Sequence, residues 1–78
     1  MSSPDLQKIF SETLGLPPQT DFSRLAYGEE PRWDSVAHMQ LCAAIETAYD
    51  IMLETDDVIG MSSYGKAVEI LKKYGIAA

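Results

Sequence analysis

Leu6, Ile9, Phe10 and Leu14 recur at three- and four-residue intervals, the spacing that lines one face of an α-helix. The pattern predicts a first helix from about Pro4 to Leu14. Ser3 suits its N-cap, Pro4 its first position, Asp5 the positive end of its dipole and Gly15 its stop. Residues 15–33 hold Pro17, Pro18, Gly28 and Pro31, which argue against a long helix there. A loop of that length is unusual in a small domain and is either functional or held by its own anchors. Leu16, Phe22, Leu25 and Tyr27 are the expected anchors, with a short helical turn near Phe22–Leu25.

A second helix is expected from Ser35 to Tyr49, with Asp34 as N-cap and an apolar face of Met39, Leu41, Cys42, Ile45 and Tyr49. A short third helix fits Asp56–Gly60, capped by Thr55. The fourth begins after Ser62 or Ser63. Its stripe is Tyr64, Ala67, Val68, Leu71 and Tyr74, with Lys72 and Lys73 in the last turn and Gly75 at the stop. No repeat or low-complexity segment interrupts the series. The fold class read from the chain is all-α, a four-helix bundle in a single domain spanning 1–78, with a long loop between the first two helices.

Seventy-eight residues bury only about 60% of the surface exposed when unfolded. A deep, water-excluding catalytic pocket is hard to build from so little, so the reading leans to binding or carrying over self-sufficient catalysis. The net charge is −6, and its location matters. All six basic residues (Lys8, Arg24, Arg32, Lys66, Lys72, Lys73) lie outside 33–65, where six acids cancel them. The excess comes from Asp34, Glu46, Asp50, Glu54, Asp56 and Asp57. Such a one-sign segment steers basic partners and repels polyanions, so nucleic acid is not an expected partner. No basic-then-apolar leader opens the chain and no run approaches the ~20 apolar residues of a membrane helix. A cytoplasmic monomer with no membrane partner is expected.

Trp33-Asp34-Ser35-Val36 places a serine hydroxyl on the first turn of the best-defined helix, directly after the long loop. Unpaired N–H groups and the helix dipole favour an anion at that end. By itself the tetrapeptide is also an ordinary helix start. The longer run WDSVAHMQLCAAIETAYDI resembles the second-helix region of acyl carrier proteins, whose hallmark is Asp-Ser-Leu. The resemblance continues through Glu54–Asp57 to Tyr64–Tyr74 and takes in the first helix and the loop, so it covers essentially the whole chain.

That resemblance implies a non-enzymatic carrier with a bundle of acyl-carrier type. Ser35 would bear 4′-phosphopantetheine, delivered from coenzyme A by a phosphopantetheinyl transferase, with Asp34 as the acid before it. The arm's thiol would hold acyl cargo as a thioester for acyl-loading and acyl-transferring enzymes. Val36, Glu46, Asp50, Asp56 and Asp57 would be recognised by those partners, and Ala43, Ile45, Leu53 and Met61 would line a cargo groove. Val36 replaces the usual leucine, and Gln40, Thr47 and Ala48 stand where carriers of primary fatty acid synthesis often have acids. Those departures point to a dedicated biosynthetic pathway. The competing reading is a small acidic helical adaptor without a cofactor.

His38, one turn after Ser35, reads foremost as an exposed polar position or minor interface residue, since no third group orients it for base catalysis. Cys42 falls on the apolar face and reads as core. One Cys and one His do not make a zinc site. Asp50, Glu54, Asp56 and Asp57 lack the calcium-loop register, because Gly60 falls outside it. Met39, Met52 and Met61 read as core or groove filler.

Overall fold

Asp5 opens the first helix. The computed structural model describes residues 5–17 and 19–77, so the expected cap Ser3 and first-turn Pro4 lie outside the described residues. Asp5 is the N-cap of α1 (Leu6–Leu14), its carboxylate accepting the Gln7 N–H at 3.0 Å. Leu6, Phe10 and Leu14 are buried at four-residue spacing. Gly15 ends the helix in the left-handed conformation, φ +67°, and its N–H bonds the Ser11 carbonyl, the stop that glycine adopts without strain.

The long loop is ordered by internal anchors. Asp21 caps a short 3₁₀ turn, Phe22–Arg24. Leu16 and Leu25 are buried, whereas Tyr27, expected as an anchor, is exposed and lays its ring edge-on to Trp33. Backbone bonds from Tyr27 N to Ser62 O (2.9 Å) and from Tyr64 N to Leu25 O (3.1 Å) fasten the loop to the start of the last helix.

Helix α2 spans Ser35–Tyr49, with Asp34 at the N-cap and Asp50 at the C-cap. It buries Leu41, Cys42 and Ile45, but Met39 is 65% exposed. Met39 lies two residues from Leu41, about 200° around a 3.6-residue helix, and so points away from the core. Met52 is also exposed, and Met61 alone of these three methionines is core. Helix α3 spans Thr55–Gly60, starting one residue earlier than expected. Its N-cap is Glu54, which makes no side-chain cap bond. Helix α4 spans Tyr64–Lys73, capped by Ser63 Oγ, which accepts the Lys66 N–H at 3.1 Å.

Among the described residues the four helices pack around one core and no strand forms; Ala26 and Ser63 make an isolated antiparallel bridge. The fold is all-α. The centre of the core is Trp33, only 1% exposed, with Phe10, Leu41, Ile45, Met61 and Leu71. Phe10 meets Trp33 and Tyr64 edge-on at 5.4 and 5.1 Å between ring centroids, an arrangement worth about 0.5–1.5 kcal/mol beyond burial.

Candidate functional site

Ser35 is exposed as the first residue of α2. The chain turns into the helix there because Asp34 holds an extended backbone and its carboxylate accepts the Ala37 N–H at 2.8 Å. The Asp34 carbonyl accepts the His38 N–H at 2.8 Å. The N–H groups of Ser35 and Val36 have no acceptor within the helix, so the positive end of α2 opens beside the serine hydroxyl. Val36 is 66% exposed and Met39 65%. With the exposed Ala43 they form an apolar strip at i, i+3 and i+7 along the outer face of α2.

The acids expected to recognise partners divide into two groups. Asp50 and Asp56 are exposed, as is Asp34 beside the serine. Asp34 and Asp50 cap opposite ends of α2, a 15-residue helix about 22 Å long at 1.5 Å per residue. Glu46 is half-buried and its carboxylate accepts the Leu53 N–H at 2.9 Å, tying the segment after α2 back onto the helix.

Asp57 is the clear correction. It is 4% exposed and faces inward. Its carboxylate accepts from Lys73 Nζ and Tyr74 OH, both at 2.5 Å, while Tyr74 OH accepts the Glu54 N–H at 3.2 Å. These bonds, first that from Lys73 and then that from Tyr74, hold the Asp57 carboxyl below the usual carboxylate range. Asp57 therefore fastens α3 to the end of α4 and presents nothing to a partner. The counter-charge comes from Lys73, sixteen residues along the chain, so the acidic segment is less unopposed than its order in the chain implies.

The four residues expected to line one groove do not share a surface. Ile45, Leu53 and Met61 are buried in the core, while Ala43 is exposed. Residues 43 and 45 are again about 200° apart on a helix. A hollow of about 700 Å³ lies elsewhere, among Gln7, Thr20, Asp21, Phe22, Tyr64 and Val68.

His38 differs most from expectation. It is half-buried, not a bystander on the surface. Trp33 Nε1–H donates to its Nδ1 at 2.9 Å, and its Nε2 lies 2.7 Å from the Val58 carbonyl. An indole nitrogen only donates and a carbonyl only accepts. A neutral imidazole with its proton on Nε2 satisfies both contacts at once. Its ring lies nearly parallel to the Trp33 ring (5.9 Å, 29°) and 5.5 Å from Tyr27. The tryptophan five residues earlier was the only signal available in the chain, and spacing alone does not tell a bonded pair from two neighbours.

Cys42 is buried, and burial followed by the Glu46 carboxylate pushes its thiol pKa up. That environment disfavours the thiolate a nucleophile needs. No group of three or more His, Cys, Asp or Glu among the described residues is placed to hold a metal ion. No helix among them is long and apolar enough to cross a membrane. The chain matches no protein-family model, no curated protein and no solved structure.

Proposed function

We propose that this chain is a discrete acyl carrier protein, loaded at Ser35 with 4′-phosphopantetheine and serving a dedicated biosynthetic pathway. The observation that carries the reading is the open Ser35 at the first residue of α2, beside exposed Asp34 and an apolar strip begun by Val36 and Met39. A prosthetic arm suits this place. The helix-start N–H groups of Ser35 and Val36 favour the phosphodiester. Met39 and Val36 offer an apolar surface along which the arm can lie. The arm, when bound, supplies a thiol that holds cargo as a thioester. The chain itself presents the hydroxyl, keeps the approach open and offers a surface to partner enzymes.

That surface combines Val36, Met39 and Ile59, the last 75% exposed, with the carboxylates of Asp34, Asp50 and Asp56. Asp57 and Glu46, engaged within the fold, are left out of it. A phosphopantetheinyl transferase and acyl-transferring enzymes with basic rims would be steered to it and held briefly. The bundle architecture of acyl-carrier type, with a short third helix between α2 and α4, belongs to the same proposal. So does the monomeric state, which a stable dimer in sedimentation would contradict.

The exposed apolar side chains also suit the second reading, an adaptor that never bears a cofactor. Incubation with coenzyme A and a promiscuous phosphopantetheinyl transferase, followed by intact-mass measurement, separates the two. A carrier gains one phosphopantetheine, and Ser35→Ala gains none. Unchanged mass for the folded wild type supports the adaptor, and a gain that persists in Ser35→Ala moves the site.

A further inference from the structure

Three hydrogen bonds join the residues that flank Ser35. Ala37 N–H and His38 N–H both reach back to Asp34, and Trp33 Nε1–H reaches forward to His38 Nδ1 at 2.9 Å. The exposed serine lies between them in the chain, with Trp33 two residues before it and His38 three after. The other imidazole nitrogen donates to Val58 O on α3 at 2.7 Å. Next to Val58 stands Ile59, exposed like Val36. One side chain thus bonds both the residue two before the serine and the backbone of α3.

Helix α3 needs such a tie. It is six residues long and has no side-chain cap, and isolated helices of that length are not stable in water. Asp57 fastens it to α4, and His38 fastens it to α2. We propose that His38 is a positioning residue for the Ser35 site: its neutral imidazole ties the chain before the serine to α3, and protonation releases the Trp33 half of the tie. The consequence for loading rests on the carrier reading; the tie itself does not.

The proton dependence follows from donor and acceptor chemistry. An imidazolium has two N–H groups and no acceptor, so its Nδ1–H would face the Trp33 N–H, donor against donor. The partner of Nδ1 is the Trp33 indole, and the neighbouring groups make other bonds. On α2, Cys42 Sγ lies 3.8 Å from the other nitrogen, Nε2, and the Asp34 carboxylate accepts the Ala37 N–H through Oδ1. On α3, Asp57 is turned to Lys73 and Tyr74. From the loop, Tyr27 presents its ring.

The test compares wild type with His38→Phe and His38→Gln, folding being checked by far-UV circular dichroism. Gln carries an acceptor and a donor, so it can serve both Trp33 and Val58. Three quantities are measured: loading from coenzyme A by the transferase, amide exchange in α3, and emission of Trp33, the single tryptophan. In His38→Phe, kcat/KM for loading should fall about tenfold, mainly through KM, and α3 amides should exchange about tenfold faster. His38→Gln should return both to within about threefold of wild type. On acidification, wild-type emission should change in one step that is absent from His38→Gln.

Normal loading and exchange in His38→Phe, or an emission step that persists in His38→Gln, overturns the proposal. If His38→Phe does not fold, the emission step in His38→Gln decides. If wild type accepts no phosphopantetheine, the carrier reading fails, and exchange and emission still judge the tie.

Discussion

Replacing Trp33 tests how far the core depends on one side chain next to the proposed attachment point. Trp33 is 1% exposed, packs edge-on against Phe10 at 5.4 Å and donates to His38. A fully buried tryptophan removes roughly 200 Å² from water, worth about 5 kcal/mol at 25 cal/mol per Å². Trp33→Ala should therefore cost about 3–5 kcal/mol once partial collapse of the cavity is allowed. A domain of this length is stable by only about 4–12 kcal/mol in total, so that variant is expected at the edge of folding. Trp33→Phe is the informative change. It keeps a ring against Phe10, gives up part of the indole and leaves His38 Nδ1 without its donor, for a cost of about 1–2.5 kcal/mol. Urea unfolding followed by far-UV circular dichroism reads this directly. With a slope near 1 kcal/mol per M, the low end for small proteins, the midpoint should drop by about 1–2.5 M. The pairing has its own signature in a double-mutant cycle. Trp33→Phe and His38→Phe should together cost about 0.5–1.5 kcal/mol less than the sum of the two alone, since each removes the same bond. Additivity to within about 0.3 kcal/mol would refute the coupling, and a cost below about 1 kcal/mol for Trp33→Ala would refute the account of the core.

Three other perturbations follow from the same geometry. Asp57 is held below the usual carboxylate range, so its contribution to stability is fully present above the ordinary aspartate value and is lost as pH falls through the lowered one. Lys73 and Tyr74 are both raised, each first by its hydrogen bond with Asp57, so their contributions are present at neutral pH and lost on the alkaline side. Asp57→Asn should flatten both limbs of a melting-temperature profile against pH; limbs as steep as wild type would show that Asp57 is not their source. Glu46→Ala should cost about 1–2 kcal/mol in urea by leaving the Leu53 N–H unpaired, whereas Glu46→Gln, which keeps an acceptor, should restore most of it. Asp50 is the C-cap of α2 at φ +54°, a left-handed conformation that disfavours side chains. Asp50→Gly should raise stability by about 0.5–1 kcal/mol in thermal melts, and a loss would place a stabilising contact on that side chain.

Local sequence alone determined α2 from Ser35 to Tyr49 with its Asp34 cap, the stripes of α1 and α4, and the Gly15 stop of α1. These are local properties: a cap needs a short polar side chain, a left-handed stop favours glycine, and a buried stripe repeats every three or four residues. The exposed Ser35 belongs with them, because it follows from where a helix begins. What tertiary structure alone decided involves residues far apart in sequence or choices between faces of one helix. Asp57 reads as one more surface acid until Lys73 and Tyr74 arrive from α4. His38 reads as a polar bystander until Trp33 enters the core and Val58 comes within reach. Met39 and Ala43 carry apolar side chains, yet the rotation of α2 that buries Leu41, Cys42 and Ile45 turns both outward. Hydrophobicity says that a residue can be buried; only the packing of the other three helices and the loop selects which face of α2 is covered.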